Sequence, residues 1–183
     1  MMNLCGIDEA GRGPLAGPLY IAGVILNEPI AGLGDSKKLS EKKREALFDE
    51  IQAKSRFHIS RFDAAQIDKL GISACLAAGL REIMSMIGEA DYLYDGNSTF
   101  GVSGLRTLVK ADATIPEVSA ASILAKVSRD REMVELALFY PQYGFEGHKG
   151  YGSAAHIEAI RRYGHCEIHR KTFKLKALQP TLF

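Results

Sequence analysis

The chain lacks a cysteine pairing pattern, a leader-like start, a long apolar run and any sizeable net charge, and each absence removes a class of protein. Its three cysteines, Cys5, Cys75 and Cys166, are an odd number with no CxxC spacing, which argues against a disulfide framework. They read as reduced thiols of a cytoplasmic protein. His165, Cys166 and His169 are close in sequence, but a structural zinc site wants more than one thiolate at standard spacing, so zinc is not expected there. Met1 to Asp8 has no basic segment leading into an apolar stretch, and no signal peptide is expected. The longest apolar run, Leu19 to Leu26, is too short to cross a bilayer, so no membrane partner is expected. Nor does a repeat, a low-complexity tract or a Pro/Gly/Ser-rich linker interrupt the chain, which predicts a single domain over 1–183. The glycines of Gly11 to Gly17 are spaced GxGxxxG and no GK[ST] follows, so neither the dinucleotide nor the P-loop pattern of a nucleotide-binding protein is met.

What is present begins with 46% hydrophobic residues in 183, enough for one well-buried core. Lys and Arg number 23 against 22 Asp and Glu, a balance that singles out no partner. Their distribution says more. His148 to Lys176 holds seven Lys or Arg against two Glu, a local charge of +5, and the first 147 residues carry sixteen against twenty, or −4. This predicts a body that gathers cations and a basic C-terminal part, 148–178, that meets phosphate.

Leu4 to Asp8 and Leu19 to Leu26 read as buried strands able to pair as an antiparallel hairpin across the Gly/Pro-rich Gly11 to Pro18. Ser40 can cap a polar helix over Glu41 to Lys54. Phe57 to Phe62 alternates like a strand, and Leu76, Leu80, Ile83 and Ile87 form one stripe of a helix over Ile72 to Ile87. Asp91 to Asp95 and Leu105 to Val109 are short strand candidates. Pro116 can open a long Ala-rich helix, Val118 to Tyr140, ended by Pro141, and Ala154 to Tyr163 is a further helix stopped by Gly164. The fold class is therefore α/β with a mixed sheet flanked by helices and a small helical C-terminal elaboration.

Asp8 ends the first strand, Asp95 a central one, and Asp112 follows the next strand by a short connection. Carboxylates at the ends of neighbouring strands converge on the edge where open α/β sheets bind ligands. Taken singly, each is what a turn or cap uses; together they repel, and Mg²⁺ or Mn²⁺, hard ions that prefer oxygen, would relieve that repulsion. Two such ions can serve an in-line phosphoryl displacement. Glu9 alternates with Asp8 in a regular strand and can join it only if the strand breaks, for which Gly11-Arg12-Gly13-Pro14 offers a place.

The stretch Gly6-Ile7-Asp8-Glu9-Ala10-Gly11-Arg12-Gly13-Pro14 resembles the opening signature of the type 2 ribonucleases H. Asp35-Ser36-Lys37-Lys38-Leu39, Lys110-Ala111-Asp112, Val118 to Val127, His148-Lys149-Gly150-Tyr151-Gly152 and His169-Arg170-Lys171-Thr172-Phe173 resemble later blocks of the same family in the same order. The resemblance implies a ribonuclease H-like fold, a monomer, and a two-metal endonuclease that cuts the RNA strand of RNA/DNA hybrids and nicks 5′ of single ribonucleotides in duplex DNA. It places the four catalytic acids at Asp8, Glu9, Asp95 and Asp112. It places a loop that reads the ribose 2′-hydroxyl at Gly11, Arg12 and Gly13, and at Tyr151 a tyrosine that packs on the following deoxyribose. Lys37, Lys38, Lys126 and Lys149 fall in blocks that line the substrate.

Gln179-Pro180-Thr181-Leu182-Phe183 resembles the short peptide by which replication enzymes dock on the bacterial sliding clamp, with Leu182 and Phe183 as apolar anchors and Gln179 as a polar contact. A frayed end or a fold-back onto the core would use the same residues. Two rival functions remain from the residues: a DNA nuclease on the same fold, and a non-catalytic clamp-bound adaptor. The complete set of acids weighs against the adaptor, since repelling carboxylates need a metal to justify them.

Overall fold

The computed structural model describes residues 3–34 and 38–174. Its centre is a five-stranded mixed sheet in the order β3-β2-β1-β4-β5, formed by β1 (Leu4–Ala10), β2 (Leu19–Leu26), β3 (Ser55–Phe62), β4 (Asp91–Asp95) and β5 (Leu105–Leu108). The first two strands form the expected antiparallel hairpin, with Asp8 opposite Ala22, and β3 adds antiparallel to β2. β4 pairs parallel with β1 on its other side, after two helices over 64–70 and 72–87, and β5 pairs parallel with β4, joined to it by residues 96–104 without a helix. The register Ile7 opposite Tyr94 brings the carboxyl ends of β1 and β4 together.

Helices cover both faces. α1 (Glu41–Lys54), whose Ser40 side chain accepts from the Lys43 N–H, and α4 (Pro116–Phe139) lie on one face. There Ala120, Ala121 and Leu124 pack with Ala10, Ala22, Val24, Leu47 and Ile51. α2 (Ala64–Leu70) and α3 (Ile72–Ile87) lie on the other, where Leu76, Leu80 and Ile83 meet Cys5, Ile7, Ile21 and Tyr94. A third cluster, with Ala16, Met133, Tyr143 and Phe145, joins the far end of α4 to α5 (Phe145–His148) and α6 (Ala154–Tyr163), the C-terminal elaboration.

The alternation of β1 decides what faces what. A Cβ on Gly6 would lie 2.3 Å from backbone atoms of Glu117 and Val118, so Gly6 lets α4 sit directly on the strand. Asp8, two residues on, shares that face. Among the described residues no single helix is long and apolar enough to cross a membrane.

Candidate active site

The sheet's pairing continues through Ala10, and the strand breaks at Gly11, where φ is +93°, at the start of the Gly11-Arg12-Gly13-Pro14 stretch that offered a place for it. The reason is packing: Ala10 is held in the α4 core, and only a residue without a Cβ can then turn beneath Arg129. Asp8 and Glu9 therefore leave the strand on opposite faces, near its end, and both reach one cleft of about 520 Å³. Its walls include Gly11, Arg12, Gly13, Asp95, Ser122, Lys126 and Tyr151.

Carboxylate oxygens of Asp8, Asp95 and Asp112 all lie within 4.8 Å of one another. Asp95, at the end of β4, accepts from the N–H groups of Lys110 (2.9 Å) and Asp112 (3.2 Å). Those bonds fix the tight connection after β5, which passes through Lys110 at φ +61° into a 3-10 turn over Ala111–Ala113. Asp112 is only 4% exposed. Burial pushes the Asp8 carboxyl well above its usual range; the Glu9 charge adds to this, and the Ser122 hydroxyl and the Glu9 N–H (2.7 Å) draw it partly back. Glu9 stands outside the group of three. Its carboxylate accepts from the Tyr94 hydroxyl at 2.7 Å and lies 3.9 Å from the Arg12 guanidinium, and burial raises its pKa against both.

This donor set fits a hard divalent cation. It offers oxygen atoms only, held close together, and an Asp8 carboxyl whose negative form nothing cationic within the three-acid group stabilises. No other group of three or more His, Cys, Asp or Glu side chains among the described residues has this spacing.

The expected substrate residues divide. Gly11, Arg12, Gly13, Lys126 and Tyr151 line the cleft with the acids. Tyr151 is 45% exposed, with the Arg129 guanidinium 5.5 Å from its ring centroid. The Lys126 ammonium is paired with Asp130 at 2.7 Å. Lys38 is exposed and Lys149, at φ +50°, gives its ammonium to the Glu146 carbonyl; neither lines the cleft. Lys37, Gln179, Leu182 and Phe183 lie outside the described residues.

Sequence reasoning missed Ser122 and Tyr94, which hold Asp8 and Glu9, and the two arginines beneath the cleft. Arg129 and Arg170 are each 1% exposed and bond only to backbone carbonyls. In a sequence such residues look like ordinary surface charge.

Helices on both faces of a mixed sheet, with acids at the ends of its parallel pair, define a protein of the ribonuclease H-like class. A ribonuclease HII of Archaeoglobus fulgidus, solved in complex with PCNA, matches all of this chain and 98% of its own, with a TM-score of 0.82 and 30% identity. The ribonuclease H2 of Pyrococcus horikoshii OT3 matches 94% of each chain, with a TM-score of 0.75 and 28% identity. In sequence, the ribonuclease HII family model matches residues 5–176. The ribonuclease HII of Sulfurovum sp. (strain NBC37-1) is 61% identical over 98% of this chain and 96% of its own length, and that of Aliarcobacter butzleri (strain RM4018) 62% over 97% and 94%. The chain belongs to the ribonuclease HII family, endoribonucleases of RNA/DNA hybrids.

Proposed function

We propose that the chain cuts the RNA strand of RNA/DNA hybrids and nicks duplex DNA on the 5′ side of a single embedded ribonucleotide, leaving a 3′-hydroxyl and a 5′-phosphate. The observation that carries it is the convergence, in one cleft, of Asp8, Glu9 and Asp95 with Gly11, Arg12, Gly13 and Tyr151, and of Asp112 within 4.8 Å of Asp8 and Asp95. Asp8, Glu9, Asp95 and Asp112 would hold two Mg²⁺ or Mn²⁺ ions. Bound there, such ions supply Lewis acidity and an activated water for in-line displacement at phosphorus.

The chain's own residues do the rest. Asp95 is oriented by two backbone N–H groups, Asp8 by Ser122 and Glu9 by Tyr94, so the acids are aligned before any ligand arrives. Gly11 to Gly13 bring main-chain atoms to the ribose 2′-hydroxyl, the group that separates RNA from DNA. Arg12, exposed above them, reaches a phosphate through its planar fork. Tyr151 offers its ring face to the deoxyribose that follows, and Lys126 sits at the rim for the backbone.

The test is a DNA duplex with one ribonucleotide, incubated with Mg²⁺, and its cut mapped. A nick 5′ of the ribonucleotide that ends in a 3′-hydroxyl is expected. Cutting of long hybrid only would overturn the junction reading, and no cutting by the folded, metal-supplied protein would favour the adaptor.

A clamp contact belongs to the same proposal. The Archaeoglobus fulgidus relative was solved with PCNA, and Gln179, Leu182 and Phe183 have the pattern of a clamp peptide. Deleting 179–183 is expected to abolish binding to the bacterial sliding clamp; unchanged affinity would remove the contact.

A further inference from the structure

The closing segment carries two adjacent residues, His169 and Arg170, which connect to opposite walls of the cleft, Arg170 directly and His169 through His156. Arg170 donates to the carbonyls of Gly11 (2.6 Å), Arg12 (3.2 Å) and Gly17 (3.0 Å), with no carboxylate among these partners. In a trans peptide the N–H points opposite to the C=O. Arg170, by turning the Gly11 and Arg12 carbonyls inward, therefore turns the N–H groups of Arg12 and Gly13 away from itself, toward the cleft those residues line. Among the described residues neither N–H donates to another group.

His169 connects to the other wall through His156. The Cys166 backbone N–H, which can only donate, points at His169 Nδ1 (2.9 Å), so Nδ1 accepts and Nε2 carries the proton. At the far end the Tyr151 carbonyl, which can only accept, faces His156 Nδ1 (2.8 Å), so Nδ1 carries that ring's proton and Nε2 is free to accept. The two Nε2 atoms are 3.0 Å apart, and the polarities derived from either end agree: His169 donates to His156. The result is one directed chain from Cys166 through His169 and His156 to the peptide of Tyr151. Both rings are neutral in it, and a second proton on either would set two donors face to face.

The main chain couples the halves. Ala16 and His169 form an isolated antiparallel bridge, Arg170 N–H donates to Leu15 O (2.8 Å), and Leu15 N–H donates to Gly150 O (2.8 Å). The segment is itself anchored on α2, where Asp68 accepts from the Lys171 and Thr172 N–H groups. A leucine at 170 would fill buried space without a charge to desolvate; the guanidinium is the group that can grip three carbonyls at once.

We propose that His169 and Arg170 are positioning residues that hold the glycine-loop amides in register with Tyr151 and so set the preference for a ribonucleotide-to-deoxyribonucleotide junction. This rests on the junction reading given above. The experiment compares kcat/KM on a single-ribonucleotide duplex with kcat/KM on an RNA/DNA hybrid, a ratio that general loss of folded protein does not move. Arg170→Lys keeps the charge but loses the fork, and its ratio is expected to fall about tenfold or more. His169→Leu is expected to lower the ratio similarly, and His169→Gln, which restores a donor near the Nε2 position, to recover most of it. Ratios within about twofold of wild type for Arg170→Lys and His169→Leu would overturn the inference. Should Arg170→Lys fail to fold, the His169 pair decides alone. Tyr151→Ala separates the two layers. If it loses the preference while the His169 and Arg170 variants keep it, only the present inference falls; if wild type has no preference, or Tyr151→Ala retains it, the junction reading falls and takes this inference with it.

Discussion

A Cβ on Gly11 would lie 2.2 Å from Nε of Arg129 and 2.5 Å from the Pro18 carbonyl, whereas a Cβ on Gly13 would meet nothing within 4 Å. Gly11 also has φ +93°, and Gly13 is not among the positive-φ positions. The fold thus requires glycine at 11 and leaves room at 13, where the proposed sugar contact would account for the missing side chain. Gly13→Ala is expected to leave stability unchanged or raise it by about 0.4–1 kcal/mol through the unfolded chain, while slowing cleavage of a single-ribonucleotide duplex about tenfold or more. Thermal melting and a cleavage time course check both halves, and normal cutting would remove Gly13 from the sugar contact. At this scale the acids were legible in the sequence because a strand-end Asp is recognisable from pattern. Ser122, Tyr94, Arg129 and Arg170 were not, because their roles depend on contacts across long separations, such as Arg170 on Gly11. The basic C-terminal count likewise included Arg170, which is turned inward.

Among the elements, β1 and α4 form the pair on which the site depends. α4 carries Ser122 to Asp8, and it can do so because Gly6 and the Ala120-Ala121 stretch let helix and strand approach closely. A methyl on Gly6 would meet helix backbone, which cannot swing aside as a flexible side chain can. Gly6→Ala is expected to cost about 1–3 kcal/mol or more and, by moving α4, to slow cleavage by the protein that remains folded. Urea unfolding with activity normalised to folded protein tests this; a wild-type midpoint would contradict the close packing. Strands and long helices were readable because period and caps act locally: α1 begins at Ser40 and α6 stops at Gly164, where the residues placed them. α2 was missed although its signal was present. Asp63 and Gln66 make a capping box, but seven residues carry too little periodicity to be noticed without it. α5 is four residues and depends on Phe145 being buried in the third cluster, which no local pattern reveals.

For the whole molecule, the C-terminal part is held together internally by neutral imidazoles, and that gives stability a pH signature. Burial, with His156 and His165 nearby, pushes His169 down from 6.5 to about 4. Between those values the unfolded chain binds the proton more readily than the folded one, so this contribution is fully present above about 6.5 and is lost as pH falls toward about 4. His156 is shifted in the same direction. Buried carboxyls such as Asp8 shift oppositely, so the comparison must be internal. The urea midpoint of wild type is expected to drop more steeply between pH 6.5 and 4.5 than that of His169→Gln; parallel curves would show that His169 is not buried as a neutral ring.

The claim on which the account turns is that Asp8, Asp95 and Asp112 form the metal-holding centre of the nuclease. Thermal melting of wild type and Asp8→Asn, each with and without Mn²⁺, addresses it without reference to activity. Wild type is expected to gain stability from the ion, about 2.7 kcal/mol at a hundredfold excess over Kd. Asp8→Asn, relieved of a desolvated charge beside Glu9 and Asp95, should melt no lower than metal-free wild type and should not respond to the ion. A wild-type melting temperature indifferent to Mn²⁺, or an Asp8→Asn protein that rises as far as wild type, would contradict the assignment.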